Sequence, residues 1–206
     1  FTHVHWCQHW EGDYWYTPSE IRRIRGWLGQ LGLSLLDLHA SRGEEQNWSM
    51  PDEYCRSAGV ELIANRLRMT AELGGRAIVL HAPIDGDTAS QQRSLEALLP
   101  LAEELDVGVA LENLVDGGFT RVAQLLHRFD SPALGFCYDS GHAAIAADTT
   151  DCTTAQAGRL LAVHLHDNDG VEDAHMLPLE GVVDWDAVLG ILCLLYTSPS
   201  PRDRTR

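Results

Sequence analysis

Ala133-Leu134-Gly135-Phe136-Cys137-Tyr138-Asp139-Ser140-Gly141-His142 is a short apolar run that stops on an acid, a hydroxyl, a glycine and an imidazole. An apolar stretch of this length, bounded by turn residues, reads as a buried strand, and its polar end marks the rim where the chain leaves the core. Five runs of the same kind accompany it: Thr2 to Trp6, Leu33 to Ala40, Arg76 to Ala82, Val107 to Asn113 and Leu160 to Asp167. Between them lie segments whose apolar residues recur three and four apart, as helices require. These are Pro18 to Leu31, Pro51 to Leu73, Ser90 to Leu105, Thr120 to Phe129 and a weaker stretch at Thr153 to Gly158. Alternating β and helical periods predict an α/β fold on a parallel sheet.

Helix punctuation agrees. Thr17-Pro18-Ser19-Glu20 puts a capping hydroxyl before a first-turn proline and an acid, and Gly32 and Gly74 stand where C-terminal caps belong. A complete (β/α)8 TIM barrel takes about 250 residues. The expectation for 206 residues with six strands is therefore a barrel incomplete at both ends, by about one β/α unit each. Residues 1–192 are expected to be this partial barrel, closing on a helix from Trp185 to Leu192. Residues 193–206 abandon that helical pattern and are expected to be an adapter-like, non-native or disordered tail.

Fifteen basic against 30 acidic residues leave a net charge of −15, which argues against a partner held through phosphates. The arginine clusters Arg22-Arg23-Arg25 and Arg66-Arg68 fall on helical segments and read as solvated faces. With 45% apolar residues and no run approaching the ~18 of a membrane span, a soluble, cytoplasmic protein is expected. The five cysteines are scattered, with no CxxC pair, and fit neither a disulfide framework nor a thiolate zinc site.

In a parallel β/α barrel the site lies at the C-terminal ends of the strands. Those ends read alike here: His39, His81, Glu112, Asp139, and then His164, His166 and Asp167. One histidine closing an apolar strand is ordinarily a hydrogen-bonded structural residue. Five successive strands each ending in a potential ligand need a common cause, and a divalent cation makes such a cluster of buried charge tolerable. Nitrogen and oxygen donors without thiolate suit Mn, Mg, Co or Zn alike. Asp139 and His142 can return to one cavity across a tight turn at Gly141, and His164 and His166 share a strand face by the period of two. Asp173-Ala174-His175 adds a loop pair.

The ordered series Leu111-Glu112-Asn113, Asp139-Ser140-Gly141-His142-Ala143, His164-Leu165-His166-Asp167 and Asp173-Ala174-His175-Met176-Leu177-Pro178-Leu179-Glu180-Gly181 resembles the xylose isomerase-like TIM barrel superfamily, from about Pro18 to Leu192. That superfamily holds sugar and inositol isomerases and epimerases, and apurinic endonucleases of the endonuclease IV type. The resemblance implies Glu112, Asp139 and His164 as ligands of a shared metal. It matches His39 and His81 to the two histidines that endonuclease-type members add for further zinc. His142 and His175 would be zinc ligands there and substrate-binding groups in the isomerases. Leu179 departs from the family's glycine before the Glu. A further metal-ligating glutamate, closing the family's last strand, has no counterpart before the tail, so impaired metal binding and activity are expected of these 206 residues.

The function so implied is a divalent-metal-dependent isomerase or epimerase of a sugar, sugar acid or inositol-type polyol, working by proton transfer through an enediolate. Glu112 and His166 are the expected catalytic residues. His39, His81, His142 and His175, with Trp6 and Trp15 of an aromatic segment, are the expected substrate-binding groups. The alternatives are a zinc-dependent apurinic endonuclease, which the charge opposes, and a non-catalytic sugar-binding barrel. The expected partner is a small carbohydrate, with no nucleic acid and no membrane, and a homo-oligomer is compatible.

Overall fold

The computed structural model describes residues 1–146, 156 and 158–196. Among them the elements run β1 (His3–Trp6), α1 (Pro18–Leu31), β2 (Ser34–His39), α2 (Glu53–Leu73), β3 (Ala77–His81), α3 (Thr88–Glu104), β4 (Gly108–Glu112), α4 (Thr120–Arg128), β5 (Leu134–Asp139), α5 (Ser140–Ile145), β6 (Leu160–His164) and α6 (Trp185–Tyr196). Strand order follows the chain, β1 to β6. All six expected strands are present. Of the weaker helical stretch at Thr153 to Gly158, residues 153–155 and 157 lie outside the described residues, as does Cys152.

The chain forms two compact units, residues 1–80 with 85–109, and residues 81–84 with 110–206. In the first unit β1 pairs in parallel with β2, and β2 with β3. Leu35, Leu38, Ile63, Leu67, Ile78, Val79, Leu95 and Leu98 form its core. Burying each such side chain stabilises by about 1.5–3 kcal/mol. Thr17 and Glu20 make the expected capping box at α1, and Gly32 and Gly74 take the left-handed conformation that ends α1 and α2. Asp52 and Asp87 cap α2 and α3, moving their starts to Glu53 and Thr88.

Arg66 corrects the reading of the basic clusters. Arg22, Arg23, Arg25 and Arg68 are exposed, whereas Arg66 is 1% exposed. Its guanidinium donates to the Tyr14 carbonyl at 2.9 Å and the Asn65 side chain at 2.9 Å, and lies 4.4 Å over the Tyr16 ring. Burial pulls its pKa down to about 10. Helical position alone does not separate a solvated arginine from one that folds inward to fasten a loop, here the β1–α1 connection.

In the second unit every residue of β5 is buried, the pattern of a strand covered on both faces. β5 pairs in parallel with β6, with Cys137 opposite Ala162 and Asp139 opposite His164. Asp139 also caps α5, accepting the His142 backbone N–H at 2.8 Å. This corrects the role given to Gly141. It sits inside a short helix, not in a turn, and a Cβ there would fall 2.1 Å from His166 Cε1. Glycine makes room for an imidazole.

Leu179, where the resemblance implies glycine, holds φ at 77°, the left-handed region that glycine adopts without cost. Helix α6 continues through Tyr196, past the expected stop at Leu192, and residues 197–206 lie outside the described residues. No described helix is long and apolar enough to cross a membrane.

Candidate metal centre

Two carboxylates organise the site, both in the second unit and each 1% exposed: Glu112 at the end of β4 and Asp139 at the end of β5. Glu112 Oε1 lies 2.6 Å from His164 Nδ1, and Oε2 lies 2.9 Å from His81 Nε2. Burial alone would raise the Glu112 pKa. Hydrogen bonds from His164 and His81 overcome it and hold the carboxyl well below the usual range. His164 Nδ1 is also 3.7 Å from Asp139 Oδ2. His164 Nδ1 thus lies within 4 Å of both carboxylates, in keeping with its place opposite Asp139 in the β5–β6 register.

His166 places Nε2 3.0 Å from Asp139 Oδ1. Burial works against its charged form, but the Asp139 carboxylate raises its pKa above the ordinary histidine value. His142 Nδ1 lies 2.8 Å from the Asn113 carbonyl, so this nitrogen carries the hydrogen and donates. That fixes the ring and points Nε2 at Asp173 Oδ2, 3.2 Å away. Asn113 is itself locked, its side chain exchanging two hydrogen bonds with the Asp139 backbone at 2.8 and 2.9 Å. The loop pair Asp173 and His175 comes together at 3.2 Å, and the His175 ring stacks parallel on His166 at 4.0 Å.

Asp139, His142 and His166 offer ligand atoms within 4.8 Å of one another, and so do His166, Asp173 and His175. A third such set, Glu112, Cys137 and His164, includes a donor that the sequence reading passed over. Cys137 lies two residues before Asp139, so both side chains leave β5 on one face, but no spacing along the chain joins that sulfur to Glu112 and His164.

The remaining expected residues belong to the first unit. His39 stacks on Trp10 at 4.5 Å and meets His5 edge-on at 5.5 Å, while His5 Nδ1 lies 2.6 Å from the buried Asp37. Trp6 spends its indole N–H on the Tyr16 hydroxyl at 2.9 Å, and Trp15 is half exposed. His9, Tyr14 and Tyr16 pack ring on ring, so much of the aromatic segment serves to build its own loop.

A parallel succession of β/α units with acids and imidazoles gathered at strand ends defines a class of TIM-barrel proteins. The xylose isomerase-like TIM barrel family matches residues 6–193, and the chain belongs to it. It is 31% identical to an uncharacterised protein of Sinorhizobium fredii, across 99% of this chain and 78% of that protein. It is 24% identical to an uncharacterised protein of Methanocaldococcus jannaschii, across 87% of this chain and 67% of that one. Among solved structures, a D-tagatose 3-epimerase-like protein superposes with a TM-score of 0.81 at 21% identity, covering 98% of this chain and 84% of its own. The IolI protein with a bound zinc atom gives 0.71 at 18% identity, covering 85% and 68%. A D-psicose 3-epimerase solved in the presence of D-fructose gives 0.76 at 19% identity, covering 97% and 73%.

Proposed function

We propose that the protein is a divalent-metal-dependent isomerase or epimerase of a sugar, sugar acid or inositol-type polyol. The observation that carries this reading is the convergence of buried Glu112 and Asp139 on His164. Two desolvated carboxylates with an imidazole between them form a donor set that fits a divalent cation. Glu112, Asp139 and His164 would hold it. When bound, the cation supplies positive charge next to substrate oxygens and so favours loss of a proton from the neighbouring carbon.

The chain's own residues supply the rest. His81 fixes the Glu112 carboxylate from its other oxygen, leaving Glu112 both a ligand and a base. Asp139 keeps His166 charged more readily than a solvated imidazole, which suits it to hold or return a proton near neutral pH. Asn113 orients His142 with Nε2 at the Asp173 carboxylate, and this imidazole–acid pair is proposed to bind a substrate hydroxyl. His175, stacked on His166, limits the swing of that ring. The likeness of fold to a D-psicose 3-epimerase and to a D-tagatose 3-epimerase-like protein supports this class of substrate.

The group of His166, Asp173 and His175 favours a second reading, a multi-zinc phosphodiesterase of the endonuclease IV type, which a net charge of −15 opposes. The test is a screen of the full-length protein, loaded with Mn, Mg, Co or Zn, for interconversion of ketoses and inosose-type polyols and for abasic-DNA cleavage. Epimerisation that disappears with Glu112→Gln is the expected result. Cleavage of abasic DNA without any sugar conversion would overturn the proposal.

A further inference from the structure

The strand that delivers Asp139 delivers a second donor from the same face. Cys137 stands two residues earlier on β5, so its side chain leaves the strand on the side of Asp139. Its register partner is Ala162, two pairs below the Asp139–His164 pair. The residue is 0% exposed, and its sulfur lies within 4.8 Å of ligand atoms of both Glu112 and His164. A buried cysteine ordinarily fills an apolar gap. This one faces a buried carboxylate and an imidazole, which are poor company for an apolar filler and good company for a ligand.

The three donors also differ in kind. Oxygen, nitrogen and sulfur at one point make a set that magnesium and calcium avoid, since both take oxygen ligands. Thiolate draws zinc and other softer ions, whereas carboxylate and water suit Mg and Mn. We propose that Cys137 is a ligand of the cation held by Glu112 and His164, and that it makes the centre selective for zinc or cobalt over magnesium and manganese. The inference rests on the metal-centre reading above and adds sulfur to it. On binding, the S–H bond is exchanged for a sulfur–metal bond and the proton passes to solvent, with no change of oxidation state. The sequence reading weighed cysteines by spacing along the chain, which cannot detect a thiol joined to its co-ligands by neighbouring strands.

The test is cobalt(II) titration to saturation of the full-length protein and of Cys137→Ser, reading the visible d–d bands and the near-ultraviolet sulfur-to-cobalt charge-transfer band. Both are expected in the unaltered protein, and they are expected to survive replacement of Cys7, Cys55, Cys152 and Cys193 by serine. Cys137→Ser should keep the d–d bands, lose the charge-transfer band and bind zinc at least about 10-fold more weakly, the lower end of the effect of removing even an outer partner of a metal ligand. Should that variant fail to fold, zinc-edge X-ray absorption of the protein lacking the other four cysteines decides. A sulfur shell at about 2.3 Å supports the assignment, and a shell of only nitrogen and oxygen overturns it. Cobalt d–d bands without charge transfer in the unaltered protein overturn the role of Cys137 while leaving the metal centre standing. Absence of any cobalt spectrum overturns both.

Discussion

Asp167→Asn removes one charge from the point where the segment carrying Asp173 and His175 is tied down. The carboxylate is fully buried. Oδ1 accepts the backbone N–H groups of Asn168 and Val183 at 2.9 and 3.0 Å, and Oδ2 accepts the Leu179 N–H at 3.0 Å and the Trp185 indole N–H at 2.8 Å. An amide keeps one oxygen and turns its NH2 toward two donors, so either rotamer loses two bonds. Hydrogen bonds to a charged group contribute about 1.5–3 kcal/mol each, which predicts a loss of about 3–6 kcal/mol. That is a large part of the about 5–15 kcal/mol a domain has. Burial by itself would raise the Asp167 pKa, but the donors from Trp185, Val183, Gly181 and Asn168 hold it far below the carboxylate range. Its stabilisation is therefore complete above an unfolded-state pKa of about 3.9 and is lost as pH falls toward the depressed folded value. Urea unfolding of both proteins from pH 7 to pH 3 is the assay. The gap should be constant from neutral pH down to about pH 4 and begin to narrow only below that. A gap below about 1 kcal/mol at pH 7, where one such bond alone exceeds that, would refute the reasoning.

Leu179→Gly should stabilise, because relief of the left-handed conformation, about 1–2 kcal/mol, exceeds the about 0.5–1 kcal/mol entropy cost of glycine, and a side chain 80% exposed loses little packing. A lower melting temperature than the parent's would count against this. Gly141→Ala should cost about 1–3 kcal/mol by overpacking and push the His166 ring off Asp139, visible as shifted imidazole nitrogen resonances. Unchanged resonances would show that the ring is not held there. Glu20 is kept at a pKa of about 2 by hydrogen bonds from Thr17 and Tyr14, so its contribution is present above the ordinary carboxylate pKa and lost as pH falls through about 2. Glu20→Gln should flatten the acid limb of the stability curve; an unaltered limb would contradict the capping role.

Much of the fold was legible because its signals are local. Helix α1 could be bounded by Thr17-Pro18 and Gly32 alone, and the ends of β2 to β5 could be read from the polar residue that closes each apolar run. Local signals fail where a neighbour in space decides. Leu192 marked a composition change that the backbone of α6 ignores, and Arg66 looked like any surface arginine until its loop was placed. The candidate site divides in the same way. Strand-end position put Glu112, Asp139 and His164 among the candidates and the resemblance grouped them, while chain spacing paired Asp173 with His175. It could not reveal that His81 braces Glu112, that Asn113 sets the ring of His142, or that Cys137 stands beneath them, because each is a contact between separate strands.

The central claim is that Glu112, Asp139 and His164 hold one cation. Crystals grown with zinc, with diffraction recorded on both sides of the zinc absorption edge, test it most directly. An anomalous peak about 2.0–2.2 Å from an oxygen of Glu112, an oxygen of Asp139 and a nitrogen of His164 is predicted. Anomalous density confined to exposed groups such as His175, with none between the two buried carboxylates, would contradict it.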